Sequence, residues 1–329
     1  NGGDGSGITI YGGNVTAASH GTQSGGAGIG GGAGNMGDGG AGNNIQIYGG
    51  TVHATGGFLG AGIGGGGGAG ATSGSGNVTI AGGKVTAVGG ECAAGIGGGG
   101  GYQSTFGGGP TGGTGSVTIS GGVVDASSPT NVEYEEYAGD PIGNGGNTTT
   151  EATVNKTTAI VFENGVGTIC GNVTFDGSYN VPADYTLNIP TGASLSGSGT
   201  LTGGGTFTTE DLTEDMISVP ADLYYNGQDR TEEIAGKVAI DGGITLCGQT
   251  FTVSGWTVEV EKTDDLHYTA TYTNDSDTTK TFTKTITLQK SGTHFVGDGT
   301  VKTYKDGAEC SDFTASDTIT VKATPTATG

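Results

Sequence analysis

The feature that most limits what this chain can fold into is a six-residue segment, Ala-Gly-Ile-Gly-Gly-Gly, that occurs three times. It occupies residues 27–32, 61–66 and 94–99, which places its isoleucines at positions 29, 63 and 96. A second segment keeps step with it, and its four copies are residues 8–17, 45–54, 78–87 and 117–126. A period in the thirties with short strand-like runs is typical of a solenoid, in which similar coils stack on one another.

Each repeat predicts three strands and three corners. Alternation puts Ile8, Ile10, Val15 and Ala17 on one side of their strands. The Gly-Gly pair between the two runs supplies the positive φ that a tight corner needs. The hexad forms the third strand, with its isoleucine as the one large inward residue. Parallel stacking then aligns two sets of residues: Ile10, Ile47, Ile80 and Ile119, and Val15, Val52, Val85 and Val124.

Glycine accounts for 75 of the 329 residues, a share that is also common in disordered chains. The phased Val, Ile and Thr runs can bury apolar surface, so the sequence favours an ordered solenoid. The hexad glycines have two interpretations: a bend in a narrow coil, or a flat docking surface that a neighbouring backbone or a ligand can approach closely. The insertions at 67–76 and 100–116 fall at one corner, which predicts loops on one side.

The chain divides by composition into four parts. Residues 1–150 hold the Gly-rich β-helix repeats, and their degenerate fourth unit is expected to be a cap. Residues 151–212 predict narrower closing coils of the same column. Residues 213–290 alternate as in a β-sandwich, with a hairpin turn at 274–279 and Trp256 in the core. Residues 291–329 predict extra strands or the start of a further β module.

Charge and cysteine usage exclude several classes. With 11 basic against 32 acidic residues, the chain lacks the basic surface that binds nucleic acid. No apolar run approaches the roughly 20 residues that span a bilayer. The chain opens on Asn-Gly-Gly-Asp without a leader, and we expect it to be part of a larger multidomain chain. Cys92, Cys170, Cys247 and Cys310 each stand alone, which favours free thiols over a zinc site.

The pattern Val-Thr-Ile-x-Gly-Gly-x-Val-Thr-Ala, followed by Ala-Ala-Gly-Ile-Gly-Gly-Gly, resembles repeats in large secreted surface proteins of Gram-positive gut bacteria. The resemblance covers residues 7–146. It implies an all-β chain with a right-handed parallel β-helix, a carbohydrate-binding-like or adhesin-like role, and an extracellular location, secreted or attached to the cell wall. Residues 217–229 are similar to the opening of bacterial immunoglobulin-like modules in such proteins. Neither resemblance brings catalytic residues.

Few side chains suggest chemistry. The one cluster of carboxylates, Glu133, Glu135, Glu136 and Asp140, lies beside Tyr134 and Tyr137. Aromatic rings beside carboxylates suit a sugar or a Ca²⁺ ion, and no other cofactor is predicted. The remaining candidates are predicted to be exposed or scattered among loops: Lys84, His20, His53, Asp4, Asp38, Glu91 and Asp125.

The sequence therefore favours a non-enzymatic extracellular module, a rigid β-helical rod that adheres to polysaccharide or to a host or cell-surface glycan. The predicted ligand-binding residues are Tyr134, Glu135, Glu136, Tyr137 and Asp140. Two alternatives stay open. One is a polysaccharide-active enzyme, a glycosidase or lyase, or its binding accessory. The other is a purely structural stalk.

Overall fold

The computed structural model describes residues 1–101, 109–129, 137–219, 223, 225 and 228–289, with the backbone of strands 292–295, 301–305 and 308–309. The chain forms two compact units. The first comprises residues 1–211 and 244–251, and the second comprises residues 212–243 and 252–329. No helix in the described part of the chain has the length and apolar character to cross a membrane.

The first unit is built almost wholly from short strands. In chain order, those of the repeats are β1 (Gly5–Ser6), β2 (Thr9–Ile10), β3 (Asn14–Ala18), β4 (Ile29–Gly30), β5 (Gly42–Ile47), β6 (Thr51–Thr55), β7 (Ile63–Gly64), β8 (Gly76–Ile80), β9 (Lys84–Val88), β10 (Ile96–Gly97), β11 (Gly115–Ile119), β12 (Val123–Ser127), β13 (Ile142–Gly143), β14 (Thr153–Lys156), β15 (Ala159–Glu163) and β16 (Val166–Cys170). Strands from successive coils pair in parallel in three sheets. Sheet I holds β1, β2, β5, β8, β11 and β14, sheet II begins β3-β6-β9-β12-β15, and sheet III is β4-β7-β10-β13.

The predicted alignment of like residues is confirmed. Isoleucine lies over isoleucine in sheet I and valine over valine in sheet II, in the order that the repeat predicts. The hexad isoleucines also align, and Ile142 continues their column below Ile96. Side chains from all three sheets form one buried cluster that runs through the coils. The repeats therefore form a parallel β-helix whose core is a stack of identical aliphatic layers.

The Gly-Gly corners between sheets I and II behave as predicted. The second glycine of each pair has a φ between +84° and +90°, a conformation that a residue with a side chain rarely adopts. These glycines are Gly13, Gly50, Gly83 and Gly122. Each corner is thus short because its second residue carries no Cβ.

At the hexad glycines a neighbouring backbone approaches closely, as one of the two sequence interpretations allows. They lie in a file of backbone groups, buried from Gly40 onward, in which the hexad of one coil alternates with the segment that returns from the following loop. Seven N–H···O bonds of 2.8–3.0 Å join the file, here called the glycine ladder: Gly32 to Gly3, Gly40 to Gly32, Gly66 to Gly40, Gly74 to Gly66, Gly99 to Gly74, Gly113 to Gly99 and Gly145 to Gly113, donor first. A Cβ on Gly65 would lie 1.8 Å from the Gly74 oxygen. The hexads are therefore glycine because backbone packs directly on backbone.

The prediction that the fourth repeat caps the stack is wrong. Its Ile142-Gly143 segment pairs in register with Ile96-Gly97, so this is a regular coil. The end of the core comes one step later. Lys156 takes the place below Ile119 in sheet I, Glu163 takes the place below Ala126 in sheet II, and the two side chains form an ion pair. A charged pair thus takes the place of one apolar residue in each of these two sheets, while Ala159 and Val161 of the sheet II strand β15 still belong to the core.

Sheet II continues beyond this cap after a reversal of the chain. Strands β15 and β16 form an antiparallel hairpin through Asn164-Gly165, whose φ values of +49° and +83° match a two-residue turn of type I′. In β15, Ala159 and Val161 face the first core, whereas Ile160 and Phe162 belong to a second one. Successive residues of a strand point to opposite faces, so the second core lies on the other side of sheet II. The prediction that the closing coils continue the first column is therefore wrong.

The second core is enclosed by shorter coils. Their strands are β17 (Asn172–Thr174), β18 (Ser178–Val181), β19 (Thr186–Ile189), β20 (Ser194–Ser196), β21 (Thr200–Gly203) and β22 (Thr206–Thr209). β16, β19 and β22 pair in parallel in sheet II, β17 pairs with β20, and β18 pairs with β21. The strand direction and the interior side both reverse relative to the first stack, so the two stacks wind with the same hand.

The second unit begins with a 3₁₀ turn, Glu214–Met216, and a short helix, α1 (Thr231–Ala235). Its strands are β23 (Ile217–Ser218), β24 (Ala239–Ile240), β27 (Trp256–Lys262), β28 (His267–Asn274), β29 (Thr281–Thr287), β30 (Gly292–Phe295), β31 (Val301–Lys305) and β32 (Ala308–Glu309). Between these, β25 (Gly243–Leu246) and β26 (Gln249–Val253) extend sheet II next to β22. The ring of Phe251 accordingly lies against Phe207 in the second core.

Strands β27, β28 and β29 form an antiparallel sheet. Alternate residues of β28, Tyr268, Ala270 and Tyr272, are fully buried, and Trp256 packs at the edge of the same cluster, as predicted. The hairpin turn after Asn274 is also confirmed, since its side-chain oxygen accepts the N–H groups of Ser276 and Asp277. An immunoglobulin-like sandwich stays a prediction.

Candidate functional site

A cleft of about 460 Å³ lies where the second stack comes alongside the Gly-Gly corners of the third and fourth coils. Residues 83–84 and 120–123 of the first stack form one side, and residues 172–175 and 177–179 of the second stack form the other. Its apolar floor consists of Val123, Val173, Phe175 and Tyr179, which are all less than 10% exposed. Hydroxyl and amide groups line the rim: Ser120, Thr158, Asn172, Thr174 and Ser178. The cleft therefore combines a dry floor with groups that can both donate and accept hydrogen bonds.

Lys84 stands at the edge of this cleft, at the start of β9. Its side chain is exposed, as predicted, and its ammonium lies 4.8 Å from the centre of the Tyr179 ring. This is within the range of a cation–π interaction. Among the described residues, no carboxylate lies within 4.0 Å of the ammonium. The positive charge is positioned by a ring and is open to a ligand.

Asp125 adjoins the cleft on the neighbouring strand β12. The Tyr179 hydroxyl donates to its carboxylate at 3.2 Å, and the Tyr185 hydroxyl donates at 3.4 Å. Phe162 pairs with Asp125 on the adjacent strand β15, and its ring lies 5.3 Å from that of Tyr179. Burial raises the pKa of Asp125, while the two tyrosine hydrogen bonds and the charges of Lys84 and His53 act in the opposite direction.

The tyrosines stay protonated in this arrangement. Burial and the charge of Asp125 raise the pKa of both Tyr179 and Tyr185, so each hydroxyl acts as a donor rather than as a base. A glycosidase requires a pair of carboxyl groups, one of which serves as the acid. The residues that line the cleft include no such pair, and Asp125 is already held by two donors. The described lining residues offer hydrogen-bonding groups and an apolar surface.

The site residues predicted from sequence fall elsewhere. Tyr134, Glu135 and Glu136 lie outside the described residues, as does Glu133. Tyr137 is half-buried, and Asp140 is exposed in the turn before β13. The Asp140 carboxylate accepts the backbone N–H of Asn144 at 2.8 Å and thereby holds that turn. Ligand binding by this patch stays a prediction.

Two of the predictions for single residues change. Asp125 is not in a loop but on a strand at the junction of the two stacks. Lys84 is exposed as predicted but belongs to a cleft. A sequence signal exists for Asp125, which stands where two of the other three units have threonine. The position of Lys84 has no consensus, since its equivalents are Asn14, Thr51 and Val123, but Lys84 is the one charged residue among the four. His20 and His53 are exposed, as predicted.

The thiols and the acidic groups do not form a metal centre in the described part of the chain. No three His, Cys, Asp or Glu side chains there are grouped as ligands. Cys92, Cys170 and Cys247 are free, in agreement with the prediction for these three, and Cys310 lies outside the described residues. Burial, together with the nearby Glu91 carboxylate, raises the pKa of Cys92 to about 11.

Comparison with known families supports the repeat region. Three stretches of the chain, residues 8–33, 45–67 and 78–100, match the family model described as a beta helix repeat. A search of curated proteins and a search of solved structures found no match. The matched stretches correspond to the first three coils of the stack, so the chain contains a β-helix repeat region.

Proposed function

We propose that the chain is a non-enzymatic module of an extracellular surface protein, a rigid β-helical rod that binds a glycan in the cleft beside Lys84. The observation that carries this proposal is the cleft itself, with an apolar floor, a rim of hydroxyl and amide groups, and no pair of carboxyl groups for catalysis. Sugars present apolar ring faces and many hydroxyls, and a site of this composition is complementary to both.

The backbone packing supports the role of a rod. Seven hydrogen bonds of the glycine ladder join all four coils through groups that have no side chain between them. Local opening of such a segment requires breaking buried backbone hydrogen bonds, which slows exchange and proteolysis. In this proposal the chain is part of a longer protein of a Gram-positive bacterium, secreted or attached to the cell wall, and the second unit is an immunoglobulin-like spacer.

The test uses the full chain on a glycan array, followed by calorimetry with the glycans retained. A bulky residue on the cleft rim, Ser178→Trp, should abolish binding. The matched control is Ser116→Trp, which alters an exposed strand serine on sheet I and should leave binding unchanged. Equal binding by both variants would show that the glycan binds elsewhere.

A reducing-sugar assay and an unsaturated-product assay on the same glycans separate the alternatives. Binding without turnover supports the proposal. Turnover that Glu135→Gln abolishes would assign the chain to the polysaccharide-active enzymes instead. If no glycan on the array binds, the glycan role is wrong and the purely structural stalk is favoured.

A further inference from the structure

Lys84 is exceptional in the chain that surrounds it. It is the only lysine or arginine among residues 1–155, in a protein whose net charge is −21. The register places it in a column with Asn14 and Thr51 above and Val123 below, none of which is charged. The column forms equally well without a charge, so the fold does not require a lysine at this position.

The ammonium of Lys84 also forms no ion pair with the described residues. The described residues place no carboxylate within ion-pair distance of its ammonium, which rests over the Tyr179 ring instead. Asp125 acts on the charge of Lys84 at longer range, and its carboxylate accepts two tyrosine hydroxyls. A chain of contacts, Asp125 to Tyr179 to Lys84, therefore positions an available ammonium at the cleft edge.

This geometry has a consequence for the ligand. Most of the protein surface repels anions, because acidic residues outnumber basic ones by 32 to 11. At the cleft, a single cation stands next to a rim of neutral donors and acceptors. A ligand with a carboxylate gains a charge-assisted hydrogen bond from Lys84, whereas a neutral ligand gains only the rim contacts.

We propose that Lys84 makes the cleft selective for glycans that carry carboxylates, that is, oligosaccharides of uronic acids. The inference rests on the proposed glycan-binding function and names the ligand class of that site. The uronate carboxylate binds the Lys84 ammonium, and the sugar hydroxyls bind Asn172, Thr174 and Ser178 on the rim. The ring face lies on the floor beside Phe175.

The experiment compares an acidic oligosaccharide with its neutral methyl ester, which has the same sugar backbone. Calorimetry on the full chain measures the affinity for an oligogalacturonate and for the same oligosaccharide after complete methyl esterification, with an oligoglucuronate as a second acidic probe. Wild-type protein should bind at least one of the acids about tenfold more tightly than the neutral ester, which corresponds to about 1.4 kcal/mol. Added salt should weaken binding of the acid more than binding of the ester.

The variant Lys84→Met keeps a long side chain and removes the charge. It should lower the affinity for the acid to that for the ester, whereas Lys84→Arg should keep most of the preference. Lys280→Met, which removes an exposed lysine from the hairpin after β28, is the control for net charge and should leave the preference intact. Unchanged far-UV circular dichroism of Lys84→Met shows that the fold is retained.

The outcomes separate the two proposals. If acid and ester bind equally, or if Lys84→Met keeps the preference for the acid, this inference is overturned and the glycan-binding function stands. If neither oligouronates nor any neutral glycan of the array binds, the proposed function fails, and the inference fails with it.

Discussion

A methyl group on Gly65, the neighbour of the ladder residue Gly66, would point at the glycine ladder and should strongly destabilise the repeat region. The substitution is Gly65→Ala, in the second hexad. Its Cβ would lie 1.8 Å from the Gly74 oxygen, whereas an ordinary contact begins at 3.4 Å. Gly65 does not have a positive φ, so the effect is steric rather than conformational.

The size of the effect follows from the contacts around it. The Gly74 carbonyl would have to retreat by about 1.6 Å, a third of the spacing of about 4.8 Å between coils. This group accepts the Gly99 N–H at 2.9 Å, and the Gly74 N–H donates to Gly66 at 2.8 Å. Overpacking costs about 1–3 kcal/mol, and two weakened backbone hydrogen bonds add about 1–3 kcal/mol. We expect a loss of about 3–5 kcal/mol in the free energy of unfolding of the repeats.

The control is Gly12→Ala at an exposed corner, where a new Cβ meets nothing within 4 Å. It should be neutral or stabilise by up to about 1 kcal/mol, because alanine restricts the unfolded chain. Urea unfolding followed by far-UV circular dichroism measures both variants. Hydrogen exchange should show faster exchange at Gly66, Gly74 and Gly99 in Gly65→Ala only. If the two alanine variants unfold at the same urea concentration, the direct backbone packing inferred for the ladder is wrong.

Three further predictions concern the cap, the junction and a thiol. Lys156→Met leaves the half-buried Glu163 without its partner and should lower the free energy of unfolding in urea by about 1 kcal/mol. The double variant Lys156→Ile with Glu163→Ala extends both apolar columns and should promote self-association, measured by light scattering. A monomeric double variant would contradict the role of the ion pair as a cap. The carboxyl of Asp125 should titrate by NMR above its ordinary pKa of 3.8, because burial raises its pKa. The protonated Asp125 then contributes its full share of folding stability below pH 3.8, and that share is lost as the pH rises through the pKa of the carboxyl in the folded protein. Asp125→Asn should remove this pH dependence. A titration midpoint of Asp125 at or below pH 3.8 would refute the prediction. Cys92, with a pKa of about 11, should react more slowly with iodoacetamide at pH 8 in the native protein than Cys247, whose pKa is also raised but whose side chain is more exposed, as read by mass spectrometry; equal labelling of the two would show that the third coil opens readily.

The repeats could be predicted from sequence because every coil has the same pattern of apolar residues and glycines. Identical residues recur at one spacing, and parallel stacking is the arrangement that buries all of them at once. The predicted columns of isoleucine and valine are therefore confirmed residue by residue. The Gly-Gly corners are also confirmed, since the demand for positive φ is local to two residues.

The features that the sequence did not predict depend on single residues or on backbone. The hairpin at Asn164-Gly165 carries a recognisable turn signal, but it alone moves the second core to the other face of sheet II. The glycine ladder has no side-chain pattern to reveal which backbone segments meet. Lys84 and Asp125 form a site only because residues 172–185, far along the chain, return to cover that part of sheet II.

The match of like residues between neighbouring coils has a consequence for how such a protein changes length. Every coil presents the same aligned residues to the coil above and to the coil below. When a coil is duplicated or deleted, the coils that become neighbours can therefore pair in the same register. Two features do not belong to these repeated contacts: the ion pair of Lys156 and Glu163, and the cleft at the last coils. Duplication of a coil before them can lengthen the stack, and deletion can shorten it, without changing the ion pair or the cleft.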